Sequence, residues 1–250
     1  MVVGSAGSID LPREVFPALM MEASISAARV ERVELDGRAG WKKRREYVDL
    51  RMRLLKGDPR RLFEAEREAY RSVQRADLPF PKIIEEGPDH FVISDAGPSL
   101  RHIALTEGFD SPNFREGVEA AAAALARLHD AGVSHGRPAP RDICWQNGKI
   151  TFIDLEKYGD RGNRTEGHVW DVLVFFYNLA GDIGGVDETV LAARDAYRAE
   201  DKHGHWELAE RRVRRLRWLG PVLRPLGRLL KDKRDFRAIG PFMDLFLGKP

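Results

Sequence analysis

The stretch from Leu125 to Asp154 constrains this chain more than any other part of its sequence. Val118, Leu125 and Leu128 form an apolar stripe at helical spacing inside the alanine-rich run 113–131, and Gly132 is suited to cap that helix. A loop opening on His135-Gly136 follows. Ile143-Cys144-Trp145 and Ile150-Thr151-Phe152-Ile153 then flank Gln146-Asn147-Gly148, where the Asn-Gly pair favours a tight hairpin turn. Asp154 ends the second strand. This order lets one polar side chain of the loop and one carboxylate after the hairpin converge on a divalent cation that bridges phosphates.

These residues resemble the catalytic and metal-binding loops of protein-kinase-like phosphotransferases, especially the bacterial lipopolysaccharide core-sugar kinases and the related toluene-tolerance proteins. In that group the loop reads His-Gly-Asp-Leu-His-Pro-x-Asn-Ile. Here it reads His135-Gly136-Arg137-Pro138-Ala139-Pro140-Arg141-Asp142-Ile143, with His135, Gly136, Pro140 and Ile143 matching. The resemblance implies that His135, Arg137 and Asp142 are the candidate catalytic positions, although a loop histidine such as His135 more often packs and hydrogen-bonds. It also implies that Asp142, standing for the metal-binding asparagine, and Asp154 hold the metal. A carboxylate at position 142 also suits Mg²⁺, although a local loop cap is the alternative for Asp142. Arg137 stands where the general base is expected, and an arginine accepts no proton at physiological pH. Two settings remain open for it: a solvated loop, or the phosphate site, where a guanidinium grips oxygen pairs. Asp154-Leu155-Glu156 replaces Asp-Phe-Gly, so the glycine hinge is absent.

The same resemblance calls for a strand lysine that holds phosphates and a glutamate on the next helix that orients it. Lys42 and Lys43 are the candidates. Strand alternation brings only one of them to the cleft, and the group's Trp-x-Lys pattern, matched by Trp41-Lys42-Lys43, selects Lys43. Glu66 is its implied partner, with a surface ion pair as the plain alternative. Ile93 and Ser94 would offer adenine its backbone hydrogen bonds. Asp171, inside an apolar helix, would brace the catalytic loop from below. His129 is expected at a helix end, near free carbonyls. Residues 24–28, where a phosphate-cradling loop belongs, contain no glycine.

Around this centre the elements read as α+β. Asp36-Gly37 joins two short strands, the second over residues 41–47, after a stretch at residues 11–26 that reads as a helix or as a helix running into a first strand. Asp58-Pro59 opens a helix whose Leu62, Phe63, Glu66, Ala69, Tyr70 and Val73 share one face. Short strands follow at residues 82–84 and 91–94. Past the turn Asp95-Ala96-Gly97-Pro98 the chain turns mostly helical. The expected architecture is a bilobal protein-kinase-like fold: residues 1–95 as a small lobe of antiparallel sheet plus helix, residues 96–250 as a larger helical lobe with basic C-terminal helices.

Composition narrows the setting. The 41 Lys and Arg nearly balance the 39 Asp and Glu, so no net charge drives binding to polyanions. Basic residues nevertheless crowd the segment from Arg211 to Arg237, between leucines at roughly helical spacing. Helices with a solvated basic face are one reading of it. The other is docking on an anionic membrane or glycolipid. Aromatics are not interleaved there for base stacking, which argues against nucleic acid. The single cysteine, Cys144, excludes an intramolecular disulfide and fits a reducing compartment. Neither a secretion signal nor a membrane-spanning run is evident. The expectation is cytoplasmic, with peripheral contact at the inner membrane face. The expected function is an ATP- and Mg²⁺-dependent phosphotransferase whose acceptor is a sugar hydroxyl of an envelope glycolipid. The competing expectation, drawn from Arg137, is a pseudokinase serving as a nucleotide-binding scaffold.

Overall fold

The structure, a computed structural model, describes residues 30–45, 58–76, 78–158, 162–219 and 238–248. The stretch 11–26, the glycine-free segment 24–28, the end of the second strand at Tyr47 and residues 220–237 of the basic segment lie outside these.

Strands β1 (Val30–Leu35) and β2 (Arg38–Arg44) form an antiparallel hairpin. Its two turn residues, Asp36 and Gly37, have φ of 51° and 73°. A turn with two such residues matches the twist of the strands, and Asp and Gly tolerate that region best. Helix α1 (Pro59–Arg75) starts where its chemistry dictates: the Asp58 carboxylate accepts a hydrogen bond from the Arg60 N–H at 3.1 Å, with proline in the first turn. Phe63, Glu66, Ala69, Tyr70 and Val73 are buried along its inner face. Strands β3 (Ile83–Glu86) and β4 (His90–Ser94) complete a fully antiparallel sheet of order β1-β2-β4-β3. A side chain at Gly40 would stand 2.9 Å from the Ile93 carbonyl oxygen, so glycine is needed where β2 crosses β4.

Beyond residue 95 the chain is mainly helical. Helix α2 (Leu100–Glu107) is capped by Ser99 and α3 (Pro112–Asp130) by Ser111. Gly132, at φ 75°, closes α3. A single 3₁₀ turn (Pro140–Asp142) leads into the hairpin of β5 (Ile143–Gln146) and β6 (Lys149–Phe152). A second 3₁₀ turn (Leu155–Lys157) follows, then α4 (Thr165–Ile183), α5 (Glu188–Glu200), α6 (His205–Arg215) and α7 (Ile239–Leu247). Helix α3 packs on α5, and α4 on α6 and α7.

One continuous apolar core runs from Phe63, Tyr70 and Phe91 on the sheet side through Leu125 and Phe152 to Phe175 and Trp206 among the helices. Each such side chain contributes about 1.5–3 kcal/mol on burial. The linker 95–98 is pinned at both ends: Asp95 N–H donates to the Ala39 carbonyl at 3.1 Å, and Trp145 N–H donates to the Pro98 carbonyl at 3.0 Å. The architecture is therefore α+β, a small antiparallel sheet with one packed helix joined to a mostly helical remainder. Among the described residues, no helix is long and apolar enough to cross a membrane.

Candidate functional site

A cleft of about 770 Å³ opens between the sheet and the helical part, lined by Lys43, Glu66, Ile93, Ser94, Asp142 and Asp154 among others. Lys43 reaches it from β2; its neighbour Lys42 does not line it. Glu66, from the inner face of α1, forms an ion pair with the Lys43 ammonium, and both side chains are largely buried. Burial works against a charged Lys43, but the Glu66 and Asp154 carboxylates raise its pKa. Tyr70 sits beneath that ammonium, with Lys43 Nζ 5.2 Å from its ring centre. Its hydroxyl accepts a hydrogen bond from the Asp154 N–H at 3.2 Å, tying α1 to the far wall of the cleft. Burial pushes the Tyr70 phenol up to about 12, so it stays neutral.

The β5–β6 hairpin delivers the two acids. Its register pairs Ile143 with Phe152, so the residues just outside the hairpin also face each other. The Ile153 N–H accordingly donates to the Asp142 carbonyl at 2.8 Å, and Asp154 comes next. At Asp154 the backbone enters the left-handed region (φ 64°, ψ 71°), which an aspartate tolerates better than most residues. Burial pushes Asp142 up to about 6, with the Asp154 charge adding to the shift against Arg141 and Arg137. Burial would raise Asp154 as well, but Lys43, Arg137 and His135 hold it below its ordinary value. The two acids therefore differ in proton affinity.

Arg137 lies between them. Its Nη2 is 2.7 Å from Asp154 Oδ2, and its Nε is 4.0 Å from Asp142 Oδ2. Arg141 Nε stands 3.5 Å from the same Asp142 oxygen. Asp142 Oδ2 is buried without a hydrogen-bond partner, an acceptor turned toward cations. Of the two settings left open for Arg137, a free solvated loop is not what the structure has. Its guanidinium is engaged with the acidic pair.

His135 is fully buried, outside the cleft lining. Its Nε2 donates to the Ile153 carbonyl at 2.9 Å, its Nδ1 accepts from the Arg137 N–H at 3.3 Å, and its ring stacks against Phe80. It holds the loop in place and has no access to a reacting group, which corrects its candidacy as a catalytic position. Asp171 does brace the loop. Its two carboxylate oxygens accept the N–H groups of His135 (2.6 Å) and Gly136 (2.9 Å). His129 departs from expectation. Rather than meeting helix-end carbonyls, its ring is buried between the Tyr197 hydroxyl (2.8 Å) and Asp171 Oδ2 (3.3 Å). Ser94 also differs from expectation: its N–H donates to the Lys82 carbonyl at 2.9 Å and its hydroxyl accepts the Lys82 N–H at 3.1 Å. Strand β4 is paired on both sides, so the cleft-lining chain beyond its hydrogen-bonded ladder begins at Ala96 and Gly97. Cys144 lines the cleft, but burial pushes its thiol up to about 12, which leaves no activated thiolate.

Mg²⁺ commonly takes one or two carboxylates and completes its shell with phosphate and water oxygens. Asp142 and Asp154 are donors of that kind, and the unpartnered Asp142 oxygen fits such an ion. Among the described residues no group of three His, Cys, Asp or Glu could hold a metal, and a cation of the chain's own already faces both acids. Two residues of this site carry no obvious mark in the sequence. Tyr70 is traceable through its position four residues after Glu66, on the same helix face. Phe80 is separated from His135 by a whole helical pair and has no local signal.

No protein-family model matches the chain. An uncharacterized protein of Haemophilus influenzae is 26% identical over 221 residues, which is 88% of this chain and 90% of that protein. A probable bifunctional tRNA threonylcarbamoyladenosine biosynthesis protein of Haloarcula marismortui is 32% identical over 122 residues. That match spans 45% of this chain but 22% of the archaeal protein. The first likeness runs nearly end to end and names no activity; the second concerns a small part of a longer protein.

Proposed function

We propose that this chain is a protein-kinase-like, ATP-binding phosphotransferase similar to the lipopolysaccharide core-sugar kinases, acting on a sugar hydroxyl of an envelope glycolipid. The observation that carries this reading is the Lys43–Glu66 ion pair facing Asp142 and Asp154 across one cleft. A buried ammonium held by a carboxylate is suited to phosphate oxygens, and the cleft is large enough for a nucleotide. Ala96 and the Gly97 carbonyl are the backbone candidates for the base, since the Gly97 N–H already donates to Asp95. Asp142 and Asp154 are the groups that would hold Mg²⁺ if Arg137, which faces both, were displaced. Arg137 cannot remove the acceptor proton, but a loose phosphoryl-transfer transition state asks little of a base.

Arg137 paired with Asp154 favours a second reading, a nucleotide-binding scaffold without turnover. The two separate in one experiment. Purified protein should gain thermal stability on titration with ATP, by mass action on the folded state. Lys43→Ala should weaken that gain by about tenfold in affinity or more, roughly 1.4 kcal/mol. Label transfer from γ-phosphate-labelled ATP to an envelope glycolipid extract supports the enzyme; binding without transfer supports the scaffold. No stabilisation by any nucleotide removes both.

A further inference from the structure

Arg137 stands beside the cleft lining and against its two acids, and the proposed function leaves its chemistry unused. Three observations bear on it. Its guanidinium is 2.7 Å from one oxygen of Asp154 and 4.0 Å from one of Asp142, so one cation reaches toward both acids, while Arg141 stands 3.5 Å from the same Asp142 oxygen. The Asp142 oxygen it faces is buried and lacks a hydrogen-bond partner, a desolvated acceptor that needs positive charge nearby. The loop backbone that carries Arg137 is fixed, because Asp171 anchors the two preceding N–H groups and the Arg137 N–H itself rests on His135 Nδ1. The guanidinium therefore extends from a rigid base, and its side chain is only 38% exposed. Arginine keeps its charge at every physiological pH and presents several donors in a fixed fork.

We infer that Arg137 is a built-in cation that takes the place of the divalent metal at the acidic pair, so that this site accepts a polyphosphate without one. Two carboxylates facing a phosphate chain need positive charge to offset repulsion. A dissociable Mg²⁺ supplies it elsewhere; here a covalently attached guanidinium does so permanently. Metal and Arg137 then compete for the same oxygens, and the metal binds only if the side chain is displaced or removed.

The nucleotide half of this inference rests on the proposed function; the metal half does not, and the test treats them apart. Binding of Mn²⁺ to the nucleotide-free protein is read by electron paramagnetic resonance, for wild type, Arg137→Ala and Arg137→Lys. Wild type should leave Mn²⁺ free, and Arg137→Ala should bind it with an affinity that falls again when Asp154→Asn is added. Arg137→Lys keeps a charge in the loop and controls for folding; it should stay close to wild type. In the second arm, ATP affinity is measured with EDTA and with excess Mg²⁺. Wild type should differ by less than about twofold, whereas Arg137→Ala should bind at least about tenfold tighter with the metal. Mn²⁺ binding by wild type as strong as by Arg137→Ala overturns the inference, as does ATP binding by wild type that vanishes in EDTA. If neither protein binds ATP under any condition, the proposed function fails, and the Mn²⁺ result alone decides whether Arg137 holds the metal's place.

Discussion

At Gly136 the backbone φ is 95°, and a Cβ there would stand 2.2 Å from the carbonyl oxygen of Lys157. Both facts follow from the loop being pulled down onto Asp171, which uses the N–H of Gly136 and of His135. A side chain would have to push apart two backbone segments that face each other behind the acidic pair. Gly136→Ala should therefore destabilise the fold by about 1–3 kcal/mol or more, the cost of a strained backbone plus the displacement of Lys157. Gly132 supplies the comparison. Its φ is 75°, yet a Cβ there would meet nothing within 4 Å, so Gly132→Ala should cost only the left-handed backbone penalty, about 1–2 kcal/mol. Urea unfolding of the two variants measures the difference. Equal losses would mean that the Lys157 contact does not constrain the loop.

The ends of three helices meet at a cluster of imidazoles. His129 from α3, His168 from α4 and His205 from α6 are all buried, with ring centres 4.8 Å apart for the first pair and 4.9 Å for the second. Tyr197 and Asp171 face His129, Ser134 faces His168, and Asp201 faces His205; His203 lies at the rim. Burial, reinforced by the neighbouring imidazoles, lowers His129 and His168 to about 3. The folded protein thus keeps both rings neutral while the unfolded chain protonates them near 6.5, so stability is lost as pH falls from about 6.5 toward 3. Each ring should cost about 2 kcal/mol by about pH 5, offset in part by Asp171, which burial pushes up to about 7, so His168→Gln should lessen the acid loss by about 2 kcal/mol. Urea midpoints at about pH 7.5 and about pH 5 test it; a slope unchanged in the variant would place the acid sensitivity elsewhere. This junction also marks the limit of what the sequence discloses. Helix α1, its Asp58 cap and both two-residue hairpin turns were readable because their chemistry is local, within a few residues of one another. Lys43, Glu66, Asp142 and Asp154 could be nominated from order and spacing. The partners of His129, 42 and 68 residues away, could not, since no neighbouring residue announces them. The pairing of Ser94 with Lys82 was hidden for a related reason: the pattern of apolar residues does not say which side of a strand is already occupied.

At the scale of the molecule, contacts among the described residues join the two walls of the cleft and tie the sheet side to the loop side. The Tyr70 hydroxyl takes the Asp154 N–H, and the Pro79 carbonyl takes the Phe152 N–H at 2.8 Å. Beside that bond Phe80, nearly buried, packs its ring against both His135 and Phe152, with ring centres 6.3 and 5.9 Å away. Phe80 belongs to the connection between α1 and β3, yet its ring contacts are with the loop that carries Arg137 and with Phe152 at the end of β6, two residues before Asp154. Phe80→Ala should cost about 3–5 kcal/mol, as expected for an emptied aromatic site in a packed core. The location of the damage is the more telling readout. If the walls are coupled through this ring, amide exchange should accelerate at His135 and Gly136, whose N–H groups are bonded to Asp171 on α4, as well as in β3. A cavity felt only locally would speed exchange in residues 78–86 and leave 135–136 protected, which would show that the sheet and the acidic loop hold their shapes independently. The same substitution should then leave the Lys43–Glu66 pair intact on the sheet side while loosening Asp154 opposite it; under the proposed function, a nucleotide titration would record weaker binding with no change in the lysine itself.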